Sequence, residues 1–368
     1  MTSRERLLRT CSFQPVDRPL HWETLGYWSQ TVKRWEGEGL PAGVHPNDYF
    51  GCDPRVRLEL STGFTTTPYF PPFEYEVVAE DEETVTYRDQ YGITKRDRKE
   101  DREMSMPQFI AFPVKGRRDW EEEIRPRLDP DTPGRFPGLS ELAARHKGHE
   151  YVLELSMCGF YGFPRNLFGE EALAYALYDM PDLIHEMQRH WVRFNKVMIE
   201  RLCACFEFDY VMIWEDMAFK TGPLISPKMF SEFQLPYYKE VVSHARACGI
   251  PHIAVDTDGD ARVLLPQFIE AGVDFMMPFE IAASMNPVPI REQYGEKLAI
   301  WGGIDKRALA RDKAAVDREL AEHVAPMLRS GGYVPSVDHT CPPDIPFENY
   351  CYFVERLREM GERHCPKA

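Results

Sequence analysis

Three short segments carry the residue types that acid–base or metal chemistry needs. Val255-Asp-Thr-Asp-Gly-Asp260 sets acids at alternate positions where an apolar run ends, Trp214-Glu-Asp-Met217 puts two adjacent acids after another, and Val337-Asp-His339 joins an acid to a histidine. Residues two apart at a strand end point the same way. Asp256 and Asp258 are therefore candidate oxygen ligands for Mg, Mn or Zn. His339 can serve as acid, base or metal ligand near neutral pH. The expected catalytic set is His339, Glu215, Asp216 and Asp258, and the expected metal set is Asp256, Asp258 and His339. Glu23, Arg165 and Glu280 follow other apolar runs and, with Tyr161 and Trp214, form a candidate substrate wall. Bland readings stand beside these. Asp260 reads as a helix cap, one of Glu215 and Asp216 as paired with Lys220 or capping a backbone turn, and aromatic residues near strand ends as core.

The elements that must position these residues follow a rhythm from about residue 150 onward. Short apolar runs at Tyr151 to Ser156, Tyr210 to Trp214, His252 to Val255, Phe275 to Pro278, Leu298 to Trp301 and Tyr333 to Val337 alternate with amphipathic stretches, which predicts strands and helices in alternation and a parallel sheet. Ser226-Pro227 reads as a helix N-cap followed by proline at the first helical position. An opening strand at Leu20 to Thr24 makes seven, and an eighth is expected near Phe109 to Val114. The predicted class is α/β, a (β/α)8 TIM barrel in one domain over 1–368, with an antiparallel β-hairpin insertion at about 55–101. The runner-up, a doubly wound open sheet, normally shows a glycine-rich phosphate loop after its first strand, and His21-Trp-Glu-Thr has none. In such barrels functional residues sit at the C-terminal ends of the strands, where the acids gather. A cation, or protonated carboxyls, would relieve their repulsion, whereas an anionic substrate would worsen it.

A formal net charge of −15 without any basic cluster excludes a nucleic-acid footprint. No window offers about 20 apolar residues and the N-terminus lacks a secretory apolar run, so no membrane association and a cytoplasmic location are expected. Nine cysteines without a C-x-x-C pair predict reduced, mostly buried thiols, and His339-Thr-Cys341 is a single weak zinc-type pair.

Further segments carry a family resemblance. Thr2-Ser-Arg-Glu-Arg-Leu7, Pro15-Val-Asp-Arg-Pro19, Gly222-Pro-Leu-Ile-Ser-Pro227, Val255-Asp-Thr-Asp-Gly259, Gly302-Gly-Ile-Asp305 and Gly331-Gly-Tyr together resemble the uroporphyrinogen decarboxylase superfamily over nearly the whole chain. The resemblance implies a (β/α)8 barrel and one of two chemistries, decarboxylation of an acidic porphyrinogen or methyl transfer among small molecules, corrinoid proteins and thiols. True decarboxylases carry paired arginines after the first strand, and His21-Trp-Glu-Thr-Leu-Gly-Tyr-Trp28 has no arginine. Thiol-activating methyltransferases hold zinc with His-x-Cys and a later cysteine, where this chain has Asp256, Asp258 and His339. What the resemblance then implies is a corrinoid-dependent methyltransferase taking a methyl group from a small donor such as an aryl methyl ether. Cobalamin would come on a partner corrinoid protein, a divalent metal such as zinc would sit at the mouth, and the resemblance hints at a homodimer. The alternatives are a decarboxylase or lyase for a small carboxylic acid, with Arg165 as anchor and His339 as proton donor, and a non-catalytic small-molecule binding barrel.

Overall fold

The computed structural model describes residues 1–23, 25–59, 68–100 and 106–365. Seven strands make one parallel sheet: β1 (Arg55–Glu59), β6 (Val152–Cys158), β7 (Tyr210–Trp214), β10 (His252–Asp256), β11 (Phe275–Met277), β12 (Ala299–Trp301) and β13 (Tyr333–Val334), adjacent in that order. The intervening labels belong to two antiparallel sheets. One has four strands, β2 (Glu76–Glu80), β3 (Thr84–Arg88), β4 (Thr94–Arg98) and β5 (Gln108–Ala111), and the other is the small β8 (Ala218–Phe219) and β9 (Gly222–Pro223) pair.

Period-two alternation sorts the parallel strands into two cores. Tyr210, Met212, Ala254, Phe275, Ala299, Trp301 and Val334 pack with Leu20 and Trp22 on the concave side. Val211, Ile213, Ile253, Val255, Met276 and Ile300 pack outward against the helices. Burial on both faces is what makes such strands read as unbroken apolar runs. The segment before β1 lies between the two ends of the sheet. Asp53 N donates to His21 O at 3.0 Å, Trp22 Nε1 donates to Asp53 O at 2.8 Å, and Cys341 N donates to Gly26 O at 2.9 Å.

Six expected strands are present, with the last one shorter than its apolar run. Three expectations differ. Residues 20–23 are not a strand, and Thr24 lies outside the described residues. Phe109 to Val114 supplies β5, an antiparallel strand, rather than an eighth parallel one, and Arg55–Glu59 opens the parallel sheet, so the antiparallel insertion starts at Glu76 and reaches Ala111. The reason lies in the alternation of Arg55-Val-Arg-Leu-Glu59. Arg55 stacks its guanidinium 5.0 Å from the Trp22 ring and 4.7 Å from that of Trp301, and Arg57 Nε pairs with Glu154 Oε1 at 2.6 Å. A strand that carries its charges into the sheet's concavity looks in sequence like a half-exposed one. No helix among the described residues is long and apolar enough to cross a membrane. None of the nine cysteines forms a disulfide, but only Cys11 and Cys341 are buried.

Candidate active site

The loops after β6, β7 and β10 and the face of the four-stranded sheet enclose a cavity of about 410 Å³. Its wall is aromatic, with Tyr69 and Tyr91 ahead of β4, Phe109 from β5, and Phe163, Trp191, Phe194 and Trp214 from the main body. Its polar residues are Asp256, Asp216, Arg165, Arg57, Lys95, Ser156 and Asn166. Each of the three cations has an acid: Arg57 Nε meets Glu154 at 2.6 Å, Arg165 meets Asp216 at 2.6 Å, and Lys95 meets Asp89 at 2.7 Å.

Asp256 stands at the C-terminal end of β10, and its carboxyl faces this space deep within the protein mass. Burial pushes its pKa up to about 8, the neighbouring Asp258 carboxylate pushes the same way, Arg57 opposes, and Asp216 and Glu154 add to the rise. At neutral pH the group is predominantly a neutral carboxylic acid, able to donate a proton into an apolar, ring-lined space.

The adjacent acids of β7 divide between two tasks. Glu215 is fully buried and accepts from the N–H groups of Phe160 (2.8 Å), Tyr161 (2.8 Å) and Gly162 (2.7 Å) and from the Tyr238 hydroxyl. It holds the loop after β6 in place. Gly159 is required beside it, since a Cβ there would sit 2.2 Å from the Glu215 carboxyl carbon. Asp216, in a left-handed conformation with φ 47°, turns to the cavity and takes Arg165 through both its carboxylate and its carbonyl.

A second group lies outside the residues that line the cavity. His339 Nε2 meets Asp258 Oδ2 at 3.3 Å, and this hydrogen bond raises the imidazole's pKa against the effect of burial. Asp258 Oδ1 is shielded from water with no partner. The loop that carries Asp258 is pinned from two sides: Gly259 N donates to Glu280 Oε2 at 3.0 Å, and a Cβ at Gly259 would come within 2.4 Å of Ala218 O. Lys306 reaches Glu280 and Asp338, each at 3.4 Å. Asp338 is fully buried and ties the loops after β11 and β12, accepting from Ile281 N and Lys306 N, while burial raises its pKa to about 6.

Of the expected site residues, Asp256, Asp216, Arg165 and Trp214 line one cavity, and Asp258, His339 and Glu280 form a separate cluster. Glu23 and Tyr161 belong to neither. Glu23 is buried in the seam, where it accepts from Val337 N at 3.1 Å and from the Tyr350 hydroxyl, and burial pushes its pKa up to about 7. Tyr161 is core. Asp260 pairs with Arg262 rather than serving as the expected helix cap, since the short turn Arg262–Leu264 has Ala261 as its N-cap, and Ser226 caps its helix by accepting from Met229 N at 3.2 Å.

The metal expectation does not fit this geometry. Among the described residues no three His, Cys, Asp or Glu side chains are gathered to hold a metal ion. Asp256 lines the cavity, His339 is engaged by Asp258 in the separate cluster, and Cys341 is wholly buried. Ligation needs deprotonated, convergent donors.

Sequence reasoning missed Arg57 and the whole wall given by the antiparallel sheet. The charged alternation of β1 was the available signal for Arg57.

Comparisons with known proteins bear on this arrangement. Residues 165–360 match the uroporphyrinogen decarboxylase (URO-D) family. A uroporphyrinogen decarboxylase of Legionella pneumophila (strain Corby) is 23% identical over 229 residues, 60% of this chain and 64% of that protein. The one from Aliarcobacter butzleri is 23% identical over 232 residues, 56% of this chain and 60% of that one. The chain thus spans a little under two thirds of these relatives. Among solved structures, a methyltransferase from Methanosarcina mazei superposes with a TM-score of 0.60 at 16% identity, covering 98% of this chain and 99% of that one, which is a likeness of fold.

Proposed function

The chain belongs to the uroporphyrinogen decarboxylase (URO-D) family, and from that premise we propose that it is a methyltransferase-type member that removes a methyl group from a small aromatic donor such as an aryl methyl ether. The observation that carries this reading is Asp256, a carboxyl with a pKa of about 8 facing a ring-lined cavity of about 410 Å³. That volume lies toward the small end of the roughly 300–1,000 Å³ usual for small-molecule pockets. The proposal includes the finer fold reading, an eight-staved barrel in which residues 20–23 form the remaining stave.

In the proposed reaction the donor's ring packs against Trp214 and Phe163, with its ether oxygen toward Asp256. The bond between methyl carbon and oxygen breaks, its electron pair stays on oxygen, and Asp256 supplies the proton that makes the phenol. A reduced corrinoid on a partner protein supplies the nucleophile that takes the methyl group. The aromatic wall offers few competing hydrogen-bonding groups, so Asp256 is the proton donor set toward the leaving oxygen. Asp216 and Arg165, fixed on each other, keep the loop after β7 rigid beside Asp256. No step is assigned to a metal.

The decarboxylase alternative asks the cavity to bind a carboxylate. Both cavity arginines are engaged by acids, and an eightfold acidic porphyrinogen would meet a protein of net charge −15. The test is methyl transfer from a panel of methoxybenzenes to added cob(I)alamin, followed by its absorbance, in wild type and Asp256→Asn. Transfer in wild type that is lost in a folded Asp256→Asn supports the reading. Equal transfer by both proteins, or none by wild type beside an active control enzyme, counts against it.

A further inference from the structure

A second cavity, of about 460 Å³, lies at the opposite end of the sheet, between the segment Asp17 to His21 and the last turns of the C-terminal helix Phe347–His364. Asp53, just before β1, donates its N–H to His21 O here, so this is the end away from the loops that carry Asp256 and His339. One side of the cavity is apolar, with Leu20, Val354 and Leu357, and the other presents His21 and Arg358. We propose that this cavity is a second binding site, for a small organic monocarboxylate whose apolar body lies on Leu20, Val354 and Leu357 and whose head meets Arg358 and His21.

The polar side chains in this region are not equally available. Asp17 takes two bonds from Arg6, at 2.8 and 2.9 Å, and Arg18 spends both terminal nitrogens on Asp53, at 2.7 and 2.9 Å. Those four charges satisfy one another. Arg358 differs, because it donates through one terminal nitrogen to Phe50 O at 2.5 Å and has no acid paired with it among the described residues. His21 is 9% exposed, and its Nε2 is shielded from water with no hydrogen-bond partner. An unmet polar atom in such a position costs free energy on the order of 1–3 kcal/mol, so a group that meets it in the bound state regains that cost. Burial and the flanking guanidiniums hold the imidazole neutral down to about pH 4, and in its Nε2–H tautomer it donates without adding charge.

One guanidinium and one neutral N–H match the two oxygens of a carboxylate. A phosphate dianion is disfavoured by Asp17 and Glu362 in the same wall. The apolar side completes the fit, since a bare inorganic anion would leave Leu20, Val354 and Leu357 unused.

The experiment is isothermal calorimetry with hexanoate and, separately, inorganic phosphate, on wild type, Arg358→Gln and Asp256→Asn, with ¹⁵N imidazole spectra of His21 recorded during the titration. Arg358 is exposed, so its replacement is expected to leave the thermal midpoint unchanged. The proposal expects saturable hexanoate binding, a shift of the His21 resonances, about tenfold weaker binding in Arg358→Gln as one charge-assisted hydrogen bond is lost, and unchanged binding in Asp256→Asn. Absence of saturable binding, binding indifferent to Arg358→Gln, or phosphate bound more tightly than hexanoate overturns it.

Discussion

Replacing Asp256 by Asn removes an ionisable group and keeps its shape, and its consequences for stability can be worked out from the pKa alone. In the folded protein the carboxyl titrates at about 8, against an ordinary value of 3.8. Below the ordinary value both states are protonated and the group costs nothing. As pH rises toward 8 the unfolded chain gains the freedom to ionise while the folded one does not, so stability falls by about 1.4 kcal/mol per pH unit and levels off above the folded value. Near pH 7 the full loss would be about 4 kcal/mol, an upper limit because Asp256 is only partly buried and solvent screens it. Asn has no such loss. Asp256→Asn should therefore melt close to wild type at pH 4 and about 3–6 °C higher at pH 8. Calorimetric melts at pH 4, 6 and 8 read the difference directly. A variant that tracks wild type across that range, or that is less stable at pH 8, would show that Asp256 is an ordinary ionised carboxylate and would refute the reasoning.

Other outcomes follow from the same geometry. Glu215→Ala strands three buried N–H groups and the Tyr238 hydroxyl, and should lower stability in denaturant by at least about 3 kcal/mol. Gly159→Ala, placing a Cβ 2.2 Å from the Glu215 carboxyl, should express mainly as insoluble protein. Asp258→Asn removes the main interaction that raises the His339 pKa, so the imidazole should titrate at lower pH by NMR, and an unchanged titration would show that the pair is not formed in solution. In wild type the sign is that of a histidine gaining a partner: the stabilisation by this pair is present at low pH and is lost as pH rises through the folded value.

Much of the scaffold could be read from the chain because strands buried on both faces are continuous apolar runs. Tyr210 to Trp214 is bounded in the sequence as it is in the fold. The first strand was hidden by the charges it turns inward, and residues 20–23 lie where a strand was expected without forming one, tied to the sheet through single bonds such as that from Trp22 Nε1 to Asp53 O. At the site, the strand-end rule found Asp256, Asp216, Arg165 and Trp214. It could not tell Glu215 from Asp216, because the positive φ that turns Asp216 toward the cavity has no signature in a Glu-Asp dipeptide. Nor could it place Tyr91 and Phe109 around the same cavity as Trp214, since that cavity joins an inserted sheet to a strand more than a hundred residues away.

The central claim is that Asp256 holds a proton at neutral pH in the cavity, and carboxyl ¹³C NMR of aspartate-labelled protein tests it most directly, with the Asp256 signal assigned by its absence from Asp256→Asn. The account predicts a resonance that titrates near pH 8; one that has finished titrating by pH 5 would contradict it.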